Sequence, residues 1–331
     1  MANISSFHGK KILITGGLGF VGSNLALALV RAGAEVTIID NLSPGCGGNI
    51  FNVHPVRRSL KIHQIDLCDQ EKLLASGIFN RNLDFVFSLA ARVSHIDSMQ
   101  FPLEDLRTNA TAELTLLECL RHHSPQARVV HTGTRQVFGR PAYFPVNENH
   151  PIQPVDINGI HKYCAEQYHR TYHEAFGLRT TVLRLTNTYG PRQLIRPSTQ
   201  GVAGNFIGRA LRREEIELFG DGEQTRDFNF VSDVVEALLL AVTTDACSGG
   251  TYNLAGFNHS VASFLRLLAQ EVPISVRSIE FPADHKKIEI GNFAASAEKF
   301  AQATGWKPAV DLSQGIGETL RFFRDNAACY L

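Results

Sequence analysis

The segment that most constrains this 331-residue chain is Lys11-Ile-Leu-Ile-Thr15, followed by Gly16-Gly-Leu-Gly-Phe-Val-Gly22 and the run Ser23 to Ala32. The short apolar run predicts a buried strand, the glycines a tight turn, and the next segment a helix. Gly17, Gly19 and Gly22 satisfy G-x-G-x-x-G in a strand-to-helix context, where absent side chains let backbone N–H groups approach a diphosphate at the positive helix N-terminus. Val36-Thr-Ile-Ile39 predicts a second strand ending at Asp40. A carboxylate there can accept hydrogen bonds from the adenosine ribose hydroxyls and repels a 2′-phosphate, which favours NAD over NADP.

Further strands are predicted at Leu60–Ile65, Phe85–Leu89, Val129–Thr132 and Thr181–Leu185, with helical stretches between most of them. Alternation of strands and helices implies a doubly wound parallel sheet covered on both faces, because parallel neighbours need a crossover. After Leu185 come loops rich in Gly, Pro and Arg, with helices near Gly201–Arg212, Val231–Thr243, Val261–Gln270 and Gly315–Asn326. The expectation is an α/β chain with a Rossmann-type lobe over residues 1–185, a return segment near 228–245, and a smaller mixed α/β lobe over 186–331.

Lys+Arg and Asp+Glu are each 32, so no global field draws in nucleic acid or an anionic membrane. Cys46, Cys68, Cys119, Cys164, Cys247 and Cys329 form no CxxC pair, which argues against a zinc ribbon or redox dithiol and for reduced thiols. With no long apolar segment either, a cytoplasmic location is expected and no membrane partner. His169 and His173 stand at i, i+4 near Cys164 without an H-E-x-x-H pattern or a clear third ligand. They are expected on a solvated helix face, with no metal.

Several segments together carry a resemblance: Thr15 to Gly22, Asp40-Asn-Leu42, Asp66-Leu67, Leu89-Ala-Ala91, Thr134 before Val137-Phe-Gly139, Leu183 to Arg192, and Gly220 to Asp227. They resemble the extended short-chain dehydrogenase/reductases, specifically the NAD-dependent nucleotide-sugar epimerase/dehydratase group. Arg192-Gln193 and Gln200-Gly201 are most similar to CDP-tyvelose epimerases within it. The resemblance implies NAD held by Gly16, Gly19, Phe20, Val21, Gly22, Asp40, Asn41, Asp66, Leu67, Leu89, Ala90, Ala91, Asn109 and Lys162. It implies a nucleotide-sugar held by Ser94, His95, Thr134, Asn187 and Arg226, and a homodimer formed through helices near Leu103–Leu120 and Asn158–Phe176.

In that group a Tyr in Y-x-x-x-K removes a hydroxyl proton from the sugar, a Ser or Thr hydrogen-bonds the same oxygen, and hydride moves to NAD. Lys162 and Thr134 match, but the Tyr position is Asn158. An amide cannot give up a proton near neutral pH, whereas a phenol can once cations stabilise the phenolate. Either another group takes the proton, with His161 the first candidate and Tyr143 and Tyr163 behind it, or the protein binds both ligands without turnover. Arg135-Gln136 follow Thr134 where dehydratases and decarboxylases of the group carry a carboxylate, so the resemblance favours an epimerase acting through a transient keto-sugar over those reactions.

Overall fold

The computed structural model describes residues 2–196 and 201–331; Gln200, part of the CDP-tyvelose epimerase likeness, lies outside them. Short runs of β-branched and apolar residues form the first strands: β1 (Lys11–Thr15), β2 (Glu35–Ile39), β3 (Leu60–His63), β4 (Phe85–Ser88), β5 (Arg128–Thr134) and β6 (Arg179–Leu185). Then come β7 (Asn187–Tyr189), β8 (Ile216–Phe219), β9 (Thr225–Phe230), β10 (Thr251–Asn253), β11 (Phe257–Ser260) and β12 (Val276–Ile279). Seven of them make one parallel sheet in the order β10-β6-β5-β4-β1-β2-β3. Every residue of β4 is buried, as expected of a strand covered on both faces.

The strand order reverses between β1 and β4, and helices leave to opposite sides there, opening a crevice beyond the carboxyl ends of the strands. Gly16, Gly19, Gly22 and Asp40 line this crevice, whereas Gly17 faces the Ile38 side chain. The helix Val231–Thr243 packs its Val234, Val235 and Leu238 with Leu25, Ala26 and Leu29 of the helix Phe20–Arg31. The return to the first lobe runs further than the sequence suggested, because β10 also joins the large sheet, parallel to β6.

A second core gathers Tyr189, Phe206, Phe228, Phe264 and Phe323. It sits among a three-stranded sheet, β11-β9-β7, and the helices Val202–Leu211, Val261–Glu271 and Leu312–Asp325. β8 and β12 pair separately. All six cysteines are free. No helix among the described residues is long and apolar enough to cross a membrane.

Candidate active site

The glycine turn is built for close approach of backbone to backbone. Gly16 has φ +65°, and a Cβ there would lie 2.8 Å from the Ala90 backbone; a Cβ on Gly22 would lie 2.3 Å from the Gly16 carbonyl oxygen. Gly19 caps the Phe20–Arg31 helix with no side chain satisfying the first N–H groups. Those donors and the positive end of the helix face a cavity of about 330 Å³, a size suited to a small molecule. Asp40 stands at the same end. Its Oδ2 accepts from Leu18 N at 3.0 Å and its Oδ1 from Leu42 N at 2.9 Å. Burial raises its pKa, and these two bonds hold it back. The carboxylate is fixed and keeps lone pairs for ribose hydroxyls. An uncapped helix end, a glycine cradle and this carboxylate fit the diphosphate and adenosine ribose of a dinucleotide.

The same cavity runs past Asn41, Asp66, Leu67, Leu89, Ala90 and Ala91 to Thr134, Asn158, Lys162, His95 and Asn187. Thr134 ends β5, and its Oγ1 accepts from Gln136 N at 3.2 Å. Lys162 lies one turn beyond Asn158 on the helix Ile157–Phe176 and donates from Nζ to Thr132 O at 2.9 Å. Burial lowers its pKa to about 8, against opposition from the charges of Glu113 and Asp105.

Four residues expected at the site do not line this cavity. Asn109 is buried and holds the loop after β4, accepting from Arg92 N at 3.2 Å and donating to Arg92 O at 3.0 Å. Ser94 caps the helix His95–Gln100, accepting from Asp97 N at 3.1 Å. Arg226 donates to Glu289 Oε1 at 2.7 Å and to the carbonyls of Thr225 and Gly291, which engages both terminal nitrogens of the fork expected for a nucleotide phosphate. His161 directs Nδ1 to Asp105 Oδ1 at 2.8 Å, away from the cavity. Tyr143 is exposed and hydrogen-bonded to Asn147, and Tyr163 packs on a separate apolar cluster; neither reaches the cavity.

Asn158 itself is committed. Its Nδ2 donates to Arg92 O at 2.8 Å and to Asp105 Oδ2 at 3.0 Å, so both amide hydrogens are used. Behind the helix lies a buried polar cluster where a solvated face is expected. His169 is fully buried, not solvated: its Nε2 bonds Glu113 Oε1 at 2.7 Å, and its ring stacks on His131 at 4.6 Å. Ser88 Oγ donates to the other oxygen of Glu113 at 2.7 Å.

From sequence, Arg135 and Gln136 stand out only as lacking a carboxylate after Thr134, and Asp156 has no role. Arg135 lines the cavity with its guanidinium over the Phe293 ring at 5.0 Å. Burial lowers its pKa to about 9, helped by the charge of Arg226. Asp156 was legible as the cap of the helix Ile157–Phe176, with Oδ1 accepting from Gly159 N at 2.7 Å.

A family model described as NAD dependent epimerase/dehydratase matches residues 12–255. The chain belongs to that family. Its cofactor is NAD. UDP-glucuronic acid decarboxylase 1 of Xenopus tropicalis is 32% identical over 95% of this chain and 72% of its own length. Among solved structures, the UDP-glucose 4-epimerase of Thermotoga maritima with UDP-glucose is 31% identical, with a TM-score of 0.85 over 96% of this chain and 99% of that one. The UDP-glucose 4-epimerase of Thermus thermophilus in complex with NAD is 29% identical, with a TM-score of 0.84 over 95% and 99%. These family members are NAD-dependent enzymes of nucleotide-sugars.

Proposed function

We propose that this protein is an NAD-dependent nucleotide-sugar epimerase acting through a transient keto-sugar. One observation carries the reading: a single cavity joins the uncapped helix end and Asp40 to Thr134 and Lys162. When bound, NAD accepts hydride from a sugar carbon and returns it. Gly16, Gly19 and the first N–H groups of the helix hold the diphosphate, and Asp40 the ribose. Lys162 supplies positive charge beside the reacting oxygen, Thr134 holds that oxygen, and Asn187 lines the sugar end. The absence of a carboxylate directly after Thr134 favours epimerisation over loss of water or carbon dioxide.

A homodimer fits the surface. Met99, Phe101, Leu103 and Leu106 are exposed beside the helix that exposes Ile160 and Phe176, a grouping of apolar side chains suited to pairing. A second reading, binding of NAD and nucleotide-sugar without turnover, draws support from the committed amide of Asn158. Proton NMR of NAD-loaded protein with UDP-, CDP-, GDP- and dTDP-sugars separates the two. New anomeric signals establish epimerisation; saturation transfer from bound sugar without conversion across the panel establishes the second reading.

A further inference from the structure

The family mechanism leaves a proton without an acceptor once Asn158 replaces the phenol. The described residues of the cavity include a single imidazole, His95. It belongs to the first turn of the helix His95–Gln100, and that helix is fastened to the Asn158 turn by Asn158 N donating to Ser98 Oγ at 3.2 Å. Asp156, two residues before Asn158, places Oδ2 3.2 Å from His95 Nδ1. The pair is within ion-pair reach but off the hydrogen-bond line, and neither atom has another partner among the described residues. Such catalytic contacts are commonly loose before substrate binds. Burial raises the Asp156 carboxyl, yet the interaction with His95, the Gly159 N–H and the Arg135 charge together bring its pKa below the ordinary range. A carboxylate there can only accept, which favours the neutral tautomer with its proton on Nδ1 facing Asp156 and its lone pair on Nε2.

Nε2 stands 2.7 Å from the amide nitrogen of Gln136, two residues beyond Thr134. The other end of that amide, Oε1, is buried with no partner among the described residues. Rotating the amide by half a turn presents Oε1 to a protonated Nε2. The neutral ring has one lone pair on Nε2 and Gln136 occupies it, so the sugar hydroxyl must displace this amide before Nε2 acts as a base, and Oε1 is then free to accept from the protonated ring.

We propose that His95 takes the sugar hydroxyl proton in place of the missing tyrosine, with Asp156 as its positioning residue. The inference rests on the epimerase reading above. The O–H bond breaks with its proton passing to Nε2, the oxygen electron pair forms the carbonyl, and the C–H bond breaks as hydride leaves for NAD. In the return step hydride is delivered to the other face of the carbon and His95 gives the proton back to oxygen. The remaining titratable groups of the cavity fit less well: burial raises the Cys46 thiol, and Arg135 is a cation seated over the Phe293 ring. Asp40 and Asp66 stand at the ends of β2 and β3 on the adenosine side, and Lys162 is engaged with Thr132 O.

The test compares wild type, His95→Ala, His95→Gln and Asp156→Asn with UDP-glucose and UDP-N-acetylglucosamine. It reads single-turnover absorbance at the reduced-nicotinamide band, calorimetric binding of UDP, and ¹⁵N NMR of labelled histidine. The expected result is a rate loss of roughly 10²- to 10⁴-fold in both His95 variants, the usual contribution of a general base. UDP affinity should stay within about threefold and added imidazole should partly restore His95→Ala. Asp156→Asn keeps its cap through the amide oxygen but should lower the rate constant more than it raises KM, and shift the His95 tautomer signal toward Nε2–H. Equal rates in wild type and His95→Ala, or parallel loss of UDP binding and rate in both variants, would overturn the proton role alone. Failure of wild type to convert any of the UDP-, CDP-, GDP- and dTDP-sugars or to reduce its NAD would count against the epimerase reading and this one together.

Discussion

Nε2 of His169 donates to Oε1 of Glu113 across 2.7 Å, with both side chains sealed from water. The contact fastens the helix that carries Lys162 to the helix Ala112–His123. Glu113 also accepts from Ser88 and lies 3.5 Å from His131 Nδ1, so one buried carboxylate joins two helices and two strands. Burial alone would raise the Glu113 carboxyl, but the two histidines hold it well below the usual range.

Acid should unfold the protein through this cluster. Burial lowers His131 to about 4 against the pull of Glu113, so between pH 6.5 and about 4 the unfolded chain binds a proton that the folded chain refuses. Stability is lost as pH falls through that window, on the order of 3 kcal/mol from this residue. Glu113, depressed when folded, adds a loss in the same direction as pH drops below its unfolded value. The urea midpoint should therefore fall from pH 7 to pH 5, and His131→Phe, which keeps the ring stack but cannot titrate, should flatten the slope. An unchanged slope would remove His131 from the account.

The glycine loop predicts a graded response. In Gly22→Ala the new methyl would sit 2.3 Å from the Gly16 carbonyl, a backbone atom that cannot swing aside, whereas in Gly19→Ala the same oxygen is 3.2 Å away. Overpacking of the first kind costs about 1–3 kcal/mol. Gly22→Ala should lose NAD binding by calorimetry and several degrees of thermal midpoint; Gly19→Ala should keep the midpoint within about 2 °C, a shift of under about 1.5 kcal/mol for a chain of this size. Equal midpoints in the two variants would contradict the geometry.

The glycine loop and Asp40 were legible because their signals are local, whereas Asn109, expected at the cofactor, holds Arg92 instead. A strand, a glycine turn and a helix are read from adjacent residues, and Asp40 follows its own strand. The sugar half depends on pairs distant in sequence. Arg226 was expected at a phosphate, but Glu289, 63 residues away, claims it; His169 was expected in solvent, but Glu113, 56 residues away, buries it. His161 looked suitable because it neighbours Lys162, yet consecutive helical residues point about 100° apart, and its ring meets Asp105 instead. The pairing of β10 with β6 escaped for the same reason: three residues, Thr251–Asn253, acquire a strand identity only from a neighbour about 70 positions earlier.

Surface pairing offers a test independent of chemistry. Leu103 is 79% exposed, beside Phe101 and Leu106, so Leu103→Glu should leave the fold intact because nothing is displaced by the longer side chain. Sedimentation should show wild type as a dimer and Leu103→Glu as a monomer with an unchanged thermal midpoint at protein concentrations below the dissociation constant. A monomeric wild type would end the homodimer proposal.

Asn158 and Lys162, one helical turn apart, should separate stability from turnover. Asn158→Ala takes the amide donor from the buried Asp105 Oδ2, while Arg92 O keeps its bond from Asn109, and one unsatisfied buried acceptor costs about 1–3 kcal/mol. If Asn158 is structural and another group moves the proton, this variant loses stability while its rate stays within about tenfold. Lys162→Met should do the reverse. Burial holds Lys162 at about 8 against about 10.5 when unfolded, so below pH 8 the fold carries a charge it disfavours, and that cost is relieved as pH rises from 8 to 10.5. Replacing the ammonium by an apolar chain of similar length removes the cost, offset in part by the donor lost to Thr132 O. The thermal midpoint at pH 7 should hold or rise, while turnover falls by at least about 10²-fold. Fully active Lys162→Met would remove this residue from the chemistry, and an unfolded variant would show that its charge balances Glu113 in the native core.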